Sequence, residues 1–285
     1  MMREGSFAAP GPGETVRLAY TEWGSADNPQ VVLCVHGLTR NARDFDELAA
    51  TLGERYRVIC PDVAGRGKSA WFTNKALYAN PVYADQMVQL IAHLGVSQVD
   101  WIGTSMGGIV GMMVAARPDT PVRRLVINDV GPFIPKEALT RLGHYVGKRP
   151  SFPTLEAAAD YVAEVMAGFG RLTRAQWLHL ARTSYRTGAN GMLELIYDPD
   201  AVAALLSGPQ KDVAFWPVWM AIRCPVLLLR GCDSDLLLDQ TAVAMTRRGP
   251  PTELVEVDGC GHAPSLMTAE QVNLIDTWLS RTRIN

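Results

Sequence analysis

The amino-acid sequence predicts an α/β fold, in which a mostly parallel β-sheet carries helices on both faces. Short apolar runs, typical of strands buried on both sides, alternate with longer segments that begin and end with helix-boundary residues. The chain has 285 residues, of which 48% are hydrophobic and 20% are charged. That length and balance suit one large globular domain, or a core with an inserted subdomain.

The strands of the predicted sheet are the clearest apolar runs in the sequence. They are Val31–Val35, Tyr56–Cys60, Val99–Gly103, Arg124–Val130, Val226–Leu229 and Glu253–Val257. The segment that precedes them, from Met1 to Glu14, is rich in Gly, Pro and Ala. We expect this segment to be a loose lead-in to the first strand.

Boundary residues mark the helices between these strands. Asn80 is a good N-cap, Pro81 stands at the first helical position, and Gly95 follows the last turn. Thr268 and Gln271 have the spacing of a capping box and open the last predicted helix.

The alternation of strand and helix breaks between about residues 131 and 223. Only helical patterns occur there: Leu155–Ala167, Gln176–Tyr185 and a short one near Ala201–Leu206. We therefore predict a core built from residues 1–130 and 224–285, with residues 131–223 as a helical insert between two of its strands.

Charge and composition exclude several classes of partner. The net charge of −2 gives no electrostatic reason to bind nucleic acid or an anionic membrane. No run reaches the roughly 18 apolar residues of a membrane helix, and the N-terminus lacks the apolar segment of a signal peptide. The odd count of five cysteines favours reduced thiols. We expect a cytoplasmic protein with no nucleic-acid or membrane partner.

A candidate nucleophile lies in Gly103-Thr104-Ser105-Met106-Gly107, which fits the pattern Gly-x-Ser-x-Gly. The motif follows an apolar strand and precedes a helical stretch, which is the context that this pattern requires. A strained turn would expose the Ser105 hydroxyl at a helix N-terminus, where the helix dipole favours negative charge.

A candidate general base follows the last predicted strand. His262 closes the sequence Asp258-Gly259-Cys260-Gly261-His262. Glycines on both sides of Cys260 permit a tight loop that brings the imidazole back over the nucleophile at the same sheet edge.

The acid that would orient His262 has three candidates. Asp233 and Asp235 follow the strand Val226–Leu229, and the order serine, aspartate, histidine matches this type of site. We favour Asp235, because an apolar run follows it directly. Asp233 stays an alternative, and so does Asp129, which ends the strand before the insert and could also reach the histidine.

A turn after the first predicted strand, His36-Gly37-Leu38-Thr39, can aim a backbone N–H at a substrate oxygen. We predict an oxyanion hole made by the N–H groups of Leu38 and Met106. His36 is expected to brace this loop. Arg40, two residues past Leu38, is a candidate contact for a substrate carboxylate or hydroxyl.

With these residues in hand, the chain resembles the α/β-hydrolase superfamily over nearly its whole length. The resemblance depends on His36-Gly37, the run from Asp62 to Ser69, the glycines around Ser105, and Gly261-His262. Within this superfamily, the chain is similar to the branch that contains esterases, enol-lactonases and carbon–carbon bond hydrolases. The resemblance implies the α/β-hydrolase fold with a helical cap in place of the insert. Family members often have the acid three residues after the strand-end glycine, whereas Asp235 is four residues after Gly231, so Asp233 stays open.

These residues predict a serine hydrolase that cleaves carboxylic esters of small or medium acyl chains through an acyl-enzyme. The same residues could serve an enol-lactonase or a carbon–carbon bond hydrolase, and the same fold could serve a non-catalytic ligand receptor. A small-molecule ester is the expected partner. The sequence contains neither His-Glu-x-x-His nor paired Cys-x-x-Cys motifs, and no dinucleotide-binding glycine pattern, so we predict no metal and no cofactor.

Overall fold

The computed structural model describes residues 1–202 and 210–281. Within these residues the strands fall into one large sheet and two small ones. In chain order they are β1 (Arg3–Pro10), β2 (Thr15–Trp23), β3 (Val31–Val35), β4 (Arg57–Pro61), β5 (Val99–Thr104), β6 (Val122–Asn128), β7 (Phe133–Ile134), β8 (Ser151–Phe152), β9 (Tyr185–Thr187), β10 (Leu193–Leu195), β11 (Val213–Ala214), β12 (Val226–Gly231) and β13 (Thr252–Val257).

The α-helices of the described residues connect these strands and cover the large sheet. They are α1 (Asp46–Leu52), α2 (Asn80–His93), α3 (Met106–Ala115), α4 (Lys136–Leu142), α5 (Leu155–Val165), α6 (Arg174–Ser184), α7 (Trp216–Ala221), α8 (Asp239–Arg247) and α9 (Ala269–Arg281). Thr268 directly precedes α9, and Gln271 is the third residue of that helix. The Gln271 N–H donates to the Thr268 hydroxyl at 3.3 Å, as the predicted capping residues require.

The large sheet has the strand order β1-β2-β4-β3-β5-β6-β12-β13. Strands β1 and β2 pair antiparallel, as do β2 and β4, and every other neighbouring pair is parallel. Strand β3 is buried along its whole length, and so is β12, as expected for central strands covered on both faces. Separate apolar clusters pack on the two faces of the sheet. The predicted fold class is therefore confirmed.

The expectation of a loose N-terminal lead-in is wrong. Residues Arg3–Pro10 form the edge strand β1, and Phe7 pairs with Leu18 of β2. Phe7 and Ala9 are buried, while Ala8 between them is exposed. Sequence patterns indicate this strand only weakly, because Gly, Ala and Pro have low strand propensity. The hydrogen-bond ladder with β2, and burial of alternate side chains, stabilise the strand instead.

The segment between β6 and β12 contains more than the predicted helices. Helices α5 and α6 match the predicted pair, and Thr173 caps α6 through a capping box with Gln176. Two short antiparallel sheets also occur there, β8-β10-β9 and β11-β7. The expectation of helices alone is thus wrong, because strands of two or three residues leave no periodic pattern. The predicted helix near Ala201–Leu206 lies largely outside the described residues.

The topology places one crevice at the carboxyl edge of the sheet. The chain runs from β3 to β4 on one side and then crosses to β5 on the other side. Parallel sheets bind ligands at such a reversal, outside the carboxyl ends of the strands. The loops after β3 and β5 meet there. Across the described residues, none of the helices combines the length and apolar character needed to span a bilayer.

Candidate active site

Ser105 stands between β5 and α3 in a strained backbone conformation. Its φ of 53° and ψ of −115° lie outside the regions that side-chain-bearing residues ordinarily adopt. The turn directs the hydroxyl out of the sheet edge at the first turn of α3.

The glycines of the motif are required by how closely the backbone approaches itself. A Cβ on Gly107 would lie 1.9 Å from the carbonyl oxygen of Val35 in β3. A Cβ on Gly103 would lie 2.3 Å from the carbonyl oxygen of Gly107. Helix α3 therefore packs directly on the sheet, which fixes the turn that carries Ser105.

His262 reaches the serine from the loop after β13. Its Nε2 lies 2.9 Å from Ser105 Oγ, and 8% of its side chain is exposed. A Cβ on Gly231 would lie 2.3 Å from the carbonyl oxygen of Gly261, so the loops after β12 and β13 touch. The structure thus brings the predicted nucleophile and base together.

Asp129 is the carboxylate that contacts His262. Its Oδ2 lies 2.8 Å from His262 Nδ1, and the residue is fully buried at the end of β6. The Gly231 N–H donates to Oδ1 at 2.8 Å, and the Ser234 hydroxyl donates to Oδ2 at 2.6 Å. Since a carboxylate accepts at Nδ1, that nitrogen carries the proton and the Nε2 lone pair faces Ser105.

The prediction of Asp235 as the acid is wrong. Its carboxylate lies at the exposed side of the loop after β12 and forms an ion pair with Arg141 of α4. Asp233 is also exposed, and its backbone N–H donates to the carbonyl of Cys260 at 2.9 Å. Ser234, which stands between them and was missed by sequence reasoning, turns inward to Asp129 instead.

The predicted oxyanion-hole residues both border the nucleophile. A Cβ on Gly37 would lie 3.8 Å from Ser105 Cβ, so the turn after β3 adjoins the serine. Within residues 1–202 and 210–281, no atom accepts a hydrogen bond from the Leu38 N–H. Met106 is the first residue of α3, so its N–H has no partner inside the helix. Both N–H groups are therefore available to a ligand.

His36 braces this turn, as expected. Its ring nitrogens lie 2.7 Å from the Gly37 carbonyl oxygen and 3.0 Å from the Val63 nitrogen. The ring is fully buried, and burial lowers the pKa of His36 to about 3. The ring is therefore neutral at physiological pH, and it supports the turn through these two contacts.

Arg66 is a second brace, which sequence reasoning missed. Its Nε donates to the Leu38 carbonyl at 2.9 Å, and its Nη1 donates to the Tyr83 hydroxyl at 2.7 Å. The side chain is fully buried, although no carboxylate of the described residues pairs with it. The Gly-Arg-Gly-Lys-Ser run could have indicated a structured loop, but not this contact.

Arg40, the candidate substrate contact, is held by the protein itself. Its Nε and Nη2 donate to Asp44 at 2.8 and 2.6 Å, and its Nη1 donates to the Ser184 hydroxyl at 2.8 Å. The side chain nevertheless lines the cavity above Ser105. It therefore ties the turn after β3 to α6 while it borders the ligand space.

The cavity above Ser105 has a volume of about 360 Å³ and is mostly apolar. Its floor comes from the loops of the core, and its walls come largely from the segment between β6 and β12. The wall residues from that segment are Ile134, Leu139, Leu142, Tyr145, Val146, Met166, Phe169 and Ala201. A concave, mostly apolar space with a few polar groups is typical of a small-molecule site.

Comparisons with known proteins agree with this fold. A 3-hydroxybutyrate-oligomer hydrolase of Cupriavidus necator is 45% identical over 269 residues, which cover 92% of each chain. A 2-(acetamidomethylene)succinate hydrolase of Mesorhizobium japonicum is 28% identical over 86% of this chain and 88% of its own. The crystal structure of an alpha/beta hydrolase from Novosphingobium aromaticivorans superposes with a TM-score of 0.87 at 34% identity, covering 99% of both chains. Residues 32–273 match the alpha/beta hydrolase family, and the chain belongs to that family of hydrolases.

Proposed function

We propose that this protein hydrolyses short carboxylic esters through an acyl-enzyme on Ser105. The observation that carries the proposal is the hydrogen-bonded chain from Ser105 through His262 to buried Asp129, with distances of 2.9 and 2.8 Å. A nucleophile, a base in reach of its proton, and a carboxylate that orients the base are the parts that acyl transfer needs.

In the proposed mechanism, Ser105 attacks the ester carbonyl carbon while His262 Nε2 accepts the hydroxyl proton. The N–H groups of Leu38 and Met106 stabilise the oxyanion, each contributing roughly 3 kcal/mol to lowering the barrier. His262 then donates its proton to the leaving alcohol. Water, deprotonated by His262, attacks the acyl-enzyme and releases the carboxylic acid. Asp129 holds the required tautomer and balances the charge of the imidazolium.

We infer that residues 131–223 form a cap which sizes the substrate. This segment supplies much of the cavity wall, and the cavity of about 360 Å³ suits a small or medium ester rather than a polymer strand. The five cysteines are free thiols, which supports a reducing compartment, and we propose the cytoplasm.

The substrate class that we favour is the soluble oligoester of 3-hydroxybutyrate. The support is the 45% identity, over nearly the full length of both chains, to a relative named for that activity. Each repeat of such an oligomer is a short secondary ester, which the cavity can contain.

The test is release of 3-hydroxybutyrate from its dimer and trimer by the wild type and by Ser105→Ala. Hydrolysis of p-nitrophenyl esters from acetate to dodecanoate is measured in parallel. We expect turnover of both substrate types, and a loss on the order of 10⁶-fold in the variant. Equal turnover in both proteins would refute Ser105 as nucleophile.

If the protein turned over p-nitrophenyl esters but released no 3-hydroxybutyrate, the proposed esterase activity would stand and the proposed substrate would be refuted. If no ester were turned over, the esterase proposal would be refuted, and the alternatives would be an enol-lactonase, a carbon–carbon bond hydrolase or a ligand receptor. A dienoate and a lactone then distinguish the first two.

A further inference from the structure

A small side chamber lies beside the cavity above Ser105 and shares part of its wall with that cavity. Thr39, Arg40, Tyr145 and Met166 line both spaces. The side chamber has a volume of about 30 Å³. Its further polar lining is Tyr161, Ser184, Tyr185 and Tyr197. A space of this size accepts a water molecule or one small polar group, such as a carboxylate.

Two tyrosine hydroxyls in the side chamber are open to a bound group. Tyr185 is 7% exposed, and neither its hydroxyl nor that of Tyr161 has a hydrogen-bond partner among the residues that the structure describes. Burial raises the pKa of Tyr185, so its hydroxyl stays protonated and can donate. Such donors invite an acceptor from a ligand.

The charges around the side chamber favour an anion. After its bonds to Asp44 and Ser184, the Arg40 guanidinium keeps two of its five N–H groups. Arg40 is the charged residue of the side chamber's lining, and among the described residues no carboxylate side chain lines that space. A substrate carboxylate bound there would accept from the remaining N–H groups of Arg40, and the lining supplies no competing negative charge.

We propose that the side chamber binds a carboxylate of the substrate, held by Arg40 and by the hydroxyls of Tyr185 and Tyr161. The enzyme then selects esters that carry a free acid a short chain away from the scissile bond. This inference depends on the proposed ester hydrolysis and restricts the range of esters that the enzyme accepts. In a 3-hydroxybutyrate dimer, the leaving alcohol carries such a carboxylate. Charge-assisted hydrogen bonds of this kind give both affinity and orientation.

The first test is the ratio of kcat/KM for the 3-hydroxybutyrate dimer to that for its methyl ester, in which the carboxylate is capped. We expect the wild type to prefer the free acid at least tenfold, as the loss of a hydrogen bond to a charged group costs about that factor or more. Tyr185→Phe and Arg40→Gln should bring the ratio towards one. Tyr56→Phe removes the hydroxyl of a buried tyrosine that lines neither cavity, and should keep the wild-type ratio. Equal wild-type rates on acid and methyl ester would overturn the proposal.

The second test measures binding without catalysis, since Arg40→Gln can weaken the fold and the dimer can fail as a substrate. Calorimetry on Ser105→Ala compares hexanoate with hexanamide, its neutral analogue. We expect hexanoate to bind at least tenfold more tightly, and Tyr185→Phe in the same background to reduce the difference. Equal affinities would contradict the carboxylate site even if ester hydrolysis stands. Tight hexanoate binding with an uncleaved dimer would instead contradict only the proposed substrate.

Discussion

The carboxylate of Asp129 shows how single residues define this site. It accepts hydrogen bonds from the Gly231 N–H, the Ser234 hydroxyl and His262 Nδ1, and no part of it is exposed. A buried carboxylate requires such donors, because an unpaired charge in the interior is costly. The same three bonds fix where the imidazole points.

This network makes a prediction for the two aspartates. We expect Asp129→Asn to lower kcat by about 10⁴-fold, because an amide at this position favours the wrong histidine tautomer. Asp235→Asn should change kcat by less than about twofold, since its ion pair with Arg141 is at the surface. Steady-state kinetics on p-nitrophenyl acetate checks both variants. A larger loss in Asp235→Asn than in Asp129→Asn would assign the acid to Asp235.

His36 predicts a specific dependence of stability on pH. Its pKa is lowered to about 3 in the folded state from the ordinary histidine value of 6.5, because the ring is buried. Between these two values the unfolded chain binds the additional proton, so the free energy of unfolding falls as the pH falls. The contribution is fully present above pH 6.5, and a loss of about 2 kcal/mol is expected between pH 7 and pH 5.

The measurement is urea unfolding of the wild type and His36→Gln across this range of pH. Asp62, whose pKa burial raises to about 6, stabilises the fold as the pH falls from 6 to 3.8. That opposite effect is common to both proteins, so the difference between them isolates His36. His93→Gln, at an exposed position, is the control for the same substitution. If the free energy of unfolding depended on pH equally steeply in His36→Gln and in the wild type, the prediction would be contradicted.

At the scale of elements, the strand, turn and helix from β5 to α3 form the unit that positions Ser105. The helix approaches the sheet so closely that only glycine fits at two of its contacts, and Ser105 takes a positive φ as a consequence. The strain of the turn is thus maintained by packing on both sides.

This packing predicts the effect of one added methyl group. Gly107→Ala would place a Cβ 1.9 Å from the Val35 carbonyl oxygen, which neither β3 nor α3 can accommodate without moving. We expect a loss of about 3 kcal/mol in the free energy of unfolding, together with loss of esterase activity. Gly37→Ala is the matched control for stability, because its Cβ would meet nothing closer than 3.8 Å. Chemical denaturation compares the two, and similar losses in both would refute the packing argument.

At the scale of the whole molecule, the segment between β6 and β12 is fixed to the core from several sides. Helix α6 is tied to the turn after β3 by the bond between Arg40 and Ser184, and by the Asn41 amide, which donates to the Thr183 carbonyl at 2.8 Å. The Gln176 amide donates to the Met267 carbonyl at 3.0 Å, near the start of α9. The walls of the cavity are therefore held in place against the nucleophile.

This arrangement predicts that the inserted segment sets the acyl-chain preference. Leu139 is buried in α4 and lines the cavity, so Leu139→Ala should move the optimum among p-nitrophenyl esters to longer chains. Leu180→Ala also truncates a buried leucine of the segment, but outside the cavity lining. Both variants should lose about 2–5 kcal/mol of stability, yet only the first should shift the optimum. If both variants shifted the chain-length optimum, the cause would be a general loosening of the segment and not the cavity lining.

Most of the fold could be predicted from the sequence. Continuous apolar runs marked the parallel strands, and the glycines around Ser105 and His262 marked the two tight loops. Those signals are local, because they follow from burial on both faces and from the steric demands of a turn. Strand β1 and the small sheets of the inserted segment carried no such pattern, since their pairing stabilises sequences with little intrinsic strand propensity.

The sequence by itself predicted the fold class, and it also predicted that Ser105, His262 and the turn after β3 would lie together. The tertiary structure decided which carboxylate contacts His262, because the ends of β6 and β12 lie side by side and chain order alone does not separate Asp129 from Asp235. It also decided that Arg66 donates to the carbonyl of Leu38 in the turn after β3. Residues far apart in the chain become neighbours only through the sheet order and the packing of the inserted segment, and no local pattern records either of them.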